Sequence, residues 1–266
     1  MNSLKKYISI VSDEASLNFE EAYNICQPLG INTFELRNFI EGRFPDISKS
    51  TINNILQIKN SHNIKIFSVN PGLFKFDVKD TEQITKQIQK LYESFKIMEI
   101  LHIKTISLFS FKRTGNIKDK IPNKVFNVLG NIKYLCEKEG FELIIENSPL
   151  CWADSGCNLS IISSQIPLKV TWDPANAAAS GEKAFPNGFN KIKNRIRNIH
   201  LKNWDPQKGY VNIQDGNIDF NKHIKALINI GYKGHYCIEH HQSKTREEST
   251  KINYKQLCDI LKYYNQ

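Results

Sequence analysis

Eight short runs of strand character recur along the chain, each separated from the next by a helical pattern, and this alternation constrains the fold more than any other feature. The runs are Tyr7 to Ser12, Thr33 to Arg37, Lys65 to Asn70, Thr105 to Phe111, Glu142 to Asn147, Leu168 to Asp173, Arg197 to Lys202 and His235 to Glu239. Between them lie segments such as "NFEEAYNICQPLG", where Asn18 can cap and Gly30 can terminate, and "TEQITKQIQKLYESFKIMEILH", apolar at helical spacing. "PNKVFNVLGNIKYLCEKEG" opens on a proline and closes at Gly140, "FNKHIKALINIGYKG" follows the seventh run, and "YKQLCDILKYY" ends the chain. Strict alternation implies parallel strands, because each helix returns the chain to the edge from which it started. Eight such units in 266 residues predict an α/β fold, a single (β/α)8 TIM barrel spanning residues 1–266. An open doubly wound sheet is the alternative, but it would carry a glycine-rich loop after the first strand, and "SIVSDEASLN" has no glycine.

Composition narrows the classes of partner. With 40% hydrophobic and 24% charged residues the chain can bury a sizeable core. No run reaches the roughly 18 apolar residues of a membrane span, and "MNSLKKYISIVSDEASLN" has too short an apolar stretch for a secretory signal, so the expectation is a cytoplasmic protein without a membrane partner. Six scattered cysteines match no zinc spacing and are expected as free thiols. The formal charge of +9 raises nucleic acid as a partner. The densest basic stretch, "KIKNRIRNIHLK", falls at a helix end leading into strand seven, however, where cations are favoured anyway. No nucleic acid is expected; a homo-oligomer is left open, since nothing in the pattern speaks to assembly.

In such a barrel the chemistry collects at the C-terminal ends of the strands. Those ends carry Glu146 on strand five, Asp173 on strand six, His200 and Lys202 on strand seven, and Glu239 on strand eight. Alternation turns Ile145, Trp172, Leu201 and Ile238 outward and their polar neighbours inward. An ionised carboxylate such as Glu146, set directly after Leu143, Ile144 and Ile145, must be paired, protonated or metal-bound if buried. Three carboxylates and an imidazole form a ligand set suited to one divalent ion, Mn, Mg, Co or Zn. The competing reading of Glu146 is a salt bridge to Arg37 or Lys202.

The segments "LIIENSP", "VTWDPANA", "NIHLKNW" and "GYKGHYCIEHH" resemble successive strand motifs of the xylose isomerase-like TIM barrel superfamily, the sugar phosphate isomerase/epimerase family, which also includes inosose-type dehydratases and apurinic endonucleases. The resemblance implies that Glu146, Asp173, His200 and Glu239 hold one divalent metal and that, as in the epimerase branch, Glu146 and Glu239 form the acid/base pair. Three positions depart from the epimerases: Asn176 stands where histidine is frequent, Asn203 where an acid is frequent, and no arginine follows closely in "HLKNWDPQKGY". A three-metal nuclease would need further histidines, whereas strands three and four end in "SVNPG" and "SLFSF".

The expected function is a divalent-metal-dependent isomerase or epimerase of a small sugar or sugar phosphate, moving a proton through a metal-stabilised enediolate. The alternative is a metal-dependent dehydratase of a polyhydroxy ketone such as an inosose, with Lys202 assisting departure of the hydroxyl; a non-catalytic sugar-binding barrel and an apurinic endonuclease rank lower. Lys202 is a catalytic candidate with Glu146 and Glu239, its competing reading being a side chain that snorkels to the rim. Substrate-binding candidates are Arg37 and Glu35, which share a face and could instead pair with each other, together with Asn176. Trp152, Trp204 and Phe74 join them as aromatic walls for sugar C–H faces. Alternation also turns His241 towards the mouth, although a surface histidine is the simpler reading.

Overall fold

A computed structural model describes residues 4–115 and 119–264, so the ends of the expected 1–266 span and residues 116–118 lie outside the described residues. The elements run β1 (Ile8–Val11), α1 (Ser12–Ala15), α2 (Phe19–Cys26), β2 (Thr33–Leu36), α3 (Lys49–His62), β3 (Lys65–Val69), α4 (Thr81–Ile100), β4 (Thr105–Leu108), α5 (Asn123–Lys138) and β5 (Glu142–Glu146). They continue with α6 (Gly156–Gln165), β6 (Lys169–Trp172), α7 (Pro174–Ala179), α8 (Phe189–Ile192), β7 (Ile196–Leu201), β8 (Asn203–Asp205), β9 (Gly209–Val211), α9 (Phe220–Asn229), β10 (His235–Ile238) and α10 (Arg246–Lys262). β1 to β7 and β10 close into a parallel barrel, sealed where Ile8 of β1 pairs with Tyr236 of β10. Each strand expected from the sequence is a barrel strand. The antiparallel hairpin β8–β9, planted directly after β7, was not anticipated.

Local chemistry sets the helix limits. Asn18 accepts from the Glu21 N–H at 3.1 Å to start α2, and Asp80 and Asp219 cap α4 and α9 in the same way. Gly30 turns the chain after α2 at φ +76, a left-handed conformation that costs glycine little. The apolar stripes of α4 (Leu91, Phe95, Met98) and α5 (Val125, Leu129, Ile132) bury against the outward strand residues Ile106, Leu108, Ile145 and their neighbours. Each such side chain contributes about 1.5–3 kcal/mol when removed from water.

Inside the barrel the pattern is polar. Glu35 of β2 accepts from Ser68 Oγ at 2.6 Å and lies 3.3 Å from His200 of β7, a strand three places away around the barrel; such a contact runs through the interior. The basic run Lys191, Lys193, Arg195 precedes β7 and therefore sits at the N-terminal end of that strand. Among the described residues no helix is long and apolar enough to cross a membrane.

Candidate metal centre and catalytic cavity

Glu146 closes β5, Asp173 follows β6 as the N-cap of α7, His200 lies near the end of β7, and Glu239 follows β10. Asn147 fixes Asp173 in place, donating to its carbonyl and accepting from its N–H, both at 2.8 Å. One ligand atom from each of the four side chains lies within 4.8 Å of all the others, and all four residues are buried. His200 Nδ1 is 3.5 Å from Glu146 and 3.2 Å from Glu239, while Nε2 faces Glu35 at 3.3 Å. Neither ring nitrogen makes a hydrogen bond of good geometry, so Nδ1 is an unsatisfied donor atom aimed between two carboxylates. This is what a divalent ion with O and N ligands requires, and Glu35 is placed to receive the Nε2 proton and fix the ring.

Electrostatics agree with a cation-seeking centre. Burial opposes charge on His200, but Glu239, Glu35 and Glu146 outweigh it and raise the imidazole well above its ordinary value. The same field would favour a divalent ion, which displaces that proton on binding. Burial tends to protonate Glu146 and Glu239 too; His200 overrides it at Glu146, and Lys202 followed by His200 at Glu239, so both are held below the usual carboxylate range.

The two cations of the interior meet partners that the sequence did not single out. Lys202 does not snorkel to the rim: it is fully buried and its ammonium bonds to both Asp173 and Glu239. Arg37 pairs neither with Glu35 nor with Glu146. Its guanidinium reaches Asp13 at 2.9 Å, Glu14 at 2.6 Å and also Glu239, because it leaves β2 one step nearer the mouth than Glu35. Glu146 is steadied by amides instead, Asn70 Nδ2 at 2.7 Å and Asn176 Nδ2 at 3.4 Å.

Above the centre opens a cavity of about 550 Å³ lined by Arg37, Asn176, Glu146 and Glu239 among the expected residues. Asn176 accepts from the Tyr210 hydroxyl at 2.8 Å, tying the β8–β9 hairpin to the site, whereas Asn203 binds the carbonyls of Ile213 and Ile218 and serves the loop. Trp152, Trp204 and Phe74 do not line the cavity. Phe74 is buried against Phe76 and Phe111, Trp152 is buried beneath Arg113, and Trp204 packs edge-on to Tyr210. Phe109 and Tyr210 supply the aromatic lining. His241 reaches the cavity, 3.2 Å from Glu239, while His240 is buried on Glu14. Asp13, Glu14, Arg43, Asn70, Lys75 and Arg246 also line it and were not anticipated.

Fold and site together define a parallel (β/α)8 barrel with a carboxylate and histidine metal-type centre at the C-terminal ends of its strands. The chain belongs to the xylose isomerase-like TIM barrel family, whose model matches residues 24–262. No curated protein sequence matches it. Among solved structures it is similar to the IolI protein with a binding zinc atom, at TM-score 0.79 and 17% identity over 97% of this chain and 99% of that one. A D-tagatose 3-epimerase-like protein gives TM-score 0.77 and 16% identity, covering 98% and 100%. The probable 3-DHS dehydratase AsbF from Bacillus anthracis gives 0.72 and 13%, covering 92% and 97%.

Proposed function

We propose that this protein is a divalent-metal-dependent isomerase or epimerase of a small polyhydroxy carbonyl compound, working by proton transfer between Glu146 and Glu239. The observation that carries the reading is the buried convergence of Glu146, Asp173, His200 and Glu239 beneath a solvent-reached cavity into which Glu146 and Glu239 both open. An ion held by these four residues would supply Lewis-acid stabilisation of negative charge on substrate oxygens. Glu146 on β5 and Glu239 after β10 approach from well-separated strands, which suits removal of a proton on one side of a carbon and return on the other. Their depressed pKa values favour the ionised form, so either can serve as the base; the carboxyl that returns a proton on the opposite side must enter the cycle protonated, and the two exchange these states at each turnover. Asn70 and Asn176 orient Glu146, and Arg37 and His241 orient Glu239.

Incubation with candidate ketoses, their acids and their phosphates in D₂O tests this. Deuterium should enter the carbon next to the carbonyl, and Glu239→Gln should slow that exchange by at least ~10²-fold. A metal-loaded protein that exchanges nothing across such a panel contradicts the reading. Lys202 supports a second one, dehydration: its ammonium, bonded to Asp173 and Glu239 and kept charged by them against burial, adds a fixed positive charge beside the centre that would stabilise a departing hydroxyl. In that case the product is lighter by one water and absorbs in the ultraviolet, and Lys202→Met abolishes its formation.

A further inference from the structure

The cavity holds more cations than its acids use. Arg37 is taken up by Asp13, Glu14 and Glu239, and Lys202 by Asp173 and Glu239. Arg43 and Lys75 also line the cavity, and among the described residues neither has a carboxylate partner. Arg43 donates from Nε to the Asn70 carbonyl at 3.2 Å and from Nη2 to Asn70 Oδ1 at 2.8 Å, leaving Nη1 without a protein partner among the described residues. The Lys75 ammonium stands 3.6 Å from the centre of the Phe109 ring and, among the described residues, makes no hydrogen bond or ion pair.

The Arg43 position is built rather than incidental. Gly72, at φ +74, leaves room for the Arg43 side chain: a Cβ there would stand 2.4 Å from Arg43 Nε. Asn70 Oδ1 accepts from Arg43 and from the Gly72 N–H, while its Nδ2 donates to Glu146. One amide therefore connects the free guanidinium edge to the proposed base. At Arg43 burial, and then repulsion by Arg37, disfavour the charge, and at Lys75 burial and the nearby Arg43 do so, against attraction from Glu146 at both; an incoming anion would relieve the remaining cost. A divalent ion on the four ligands would add positive charge to the same cavity.

We infer that the substrate is acidic: a polyhydroxy carbonyl compound whose carboxylate or phosphate group is bound by Arg43 and Lys75, beside Glu146. This rests on the proton-transfer reading of the same cavity. Charge-assisted hydrogen bonds to such a group set which end of the substrate faces the base. A neutral ketose would leave both cations unpaired and bind poorly.

The test is calorimetry on the full-length, metal-loaded protein with four probes: inorganic phosphate, a neutral ketopentose, the same ketopentose bearing a terminal phosphate, and a keto acid of matching length. The phosphorylated sugar or the keto acid should bind at least ~10-fold more tightly than the neutral sugar, and the tighter of the two identifies the anion. Arg43→Gln and Lys75→Met should each remove ~10-fold or more of that preference, read as the ratio of acidic-probe to neutral-sugar affinity within the same variant. Lys75 is solvent-reached and, among the described residues, makes no hydrogen bond, so its variant keeps the test valid if the Arg43 variant fails to fold. Equal affinity for neutral and acidic probes, or variants that keep the preference, would overturn the assignment. Charge-selective binding without deuterium exchange would uphold it and refute proton transfer instead.

Discussion

Replacing Arg37 by methionine keeps most of the side-chain volume and deletes one charge that three buried carboxylates share. In the native protein Asp13, Glu14 and Glu239 all contact this guanidinium, whose side chain is 12% exposed while theirs are 3% or less. Breaking a buried ion pair from one side costs about 3–5 kcal/mol, because the orphaned charge keeps its desolvation cost. For a chain of this size each kcal/mol lowers Tm by about 2–4 °C, so Arg37→Met should lose roughly 6–20 °C. The pH dependence carries the mechanism. In the native protein burial tends to raise the Asp13 pKa, but Arg37 and Asn38 outweigh it, so the carboxyl sits below its ordinary value. Its contribution is then present above the ordinary carboxylate pKa and is lost as the pH falls through the lower folded value. Without Arg37 burial dominates, the folded pKa rises above the unfolded one, and protonation stabilises the fold. Acidification from pH 7 towards pH 5 should therefore narrow the Tm gap between variant and parent, the histidine contributions being common to both. Differential scanning calorimetry across that range reads both effects, with Arg37→Lys as a milder control. A Tm within about 2 °C of the parent, with the same pH profile, would refute the shared-charge account of Arg37.

Other outcomes follow from the same geometry. Glu35→Gln should weaken divalent-metal affinity by ~10–100-fold with little change in circular dichroism, since Glu35 stands 3.3 Å from His200 Nε2, placed to fix the ring once a metal takes Nδ1, and is not itself one of the four ligand candidates. His223, buried and accepting from Trp172 Nε1 at 3.0 Å, is held neutral by burial with its pKa lowered from 6.5 to about 3. The unfolded chain takes up that proton first, so stability should fall with pH across this window at up to ~1.4 kcal/mol per unit, and His223→Gln should flatten the acid limb of a urea-denaturation series. Duplex DNA with an abasic site should not be nicked in a gel assay with metal present, because the densest basic run lies at the opposite end of β7 from the four ligand candidates.

The strands and the four ligand candidates could be read from sequence for one physical reason. Parallel strands buried on both faces read as apolar runs, so a carboxylate or imidazole such as Glu146 or His200 stands out within them, and alternation then fixes the side it faces. Lys202 was placed correctly by that rule but not its partners, since a register says which way a side chain points and not which of several carboxylates it meets. The loops had no such period. Trp152 and Phe74 follow strand ends closely, yet Leu150 and Phe74 adopt positive φ and turn the chain so that both aromatics pack inward. Arg43 and Lys75 come from two separate connections and Arg246 from the start of α10, and only closure of the barrel brings them to one cavity. The β8–β9 hairpin was masked because "NWDPQKGYV" is too short and too polar to register as two strands, although it delivers Tyr210 to Asn176.

The account turns on one ion held by Glu146, Asp173, His200 and Glu239. Its most direct test is metal analysis of chelator-stripped protein after reloading with Mn²⁺, Co²⁺ or Zn²⁺, alongside titration calorimetry of His200→Ala and Asp173→Asn. The parent should retain about one ion per chain with N/O ligands, and each variant should lose tight binding while keeping its fold. A parent that retains no ion, or variants that bind as tightly as the parent, would contradict it.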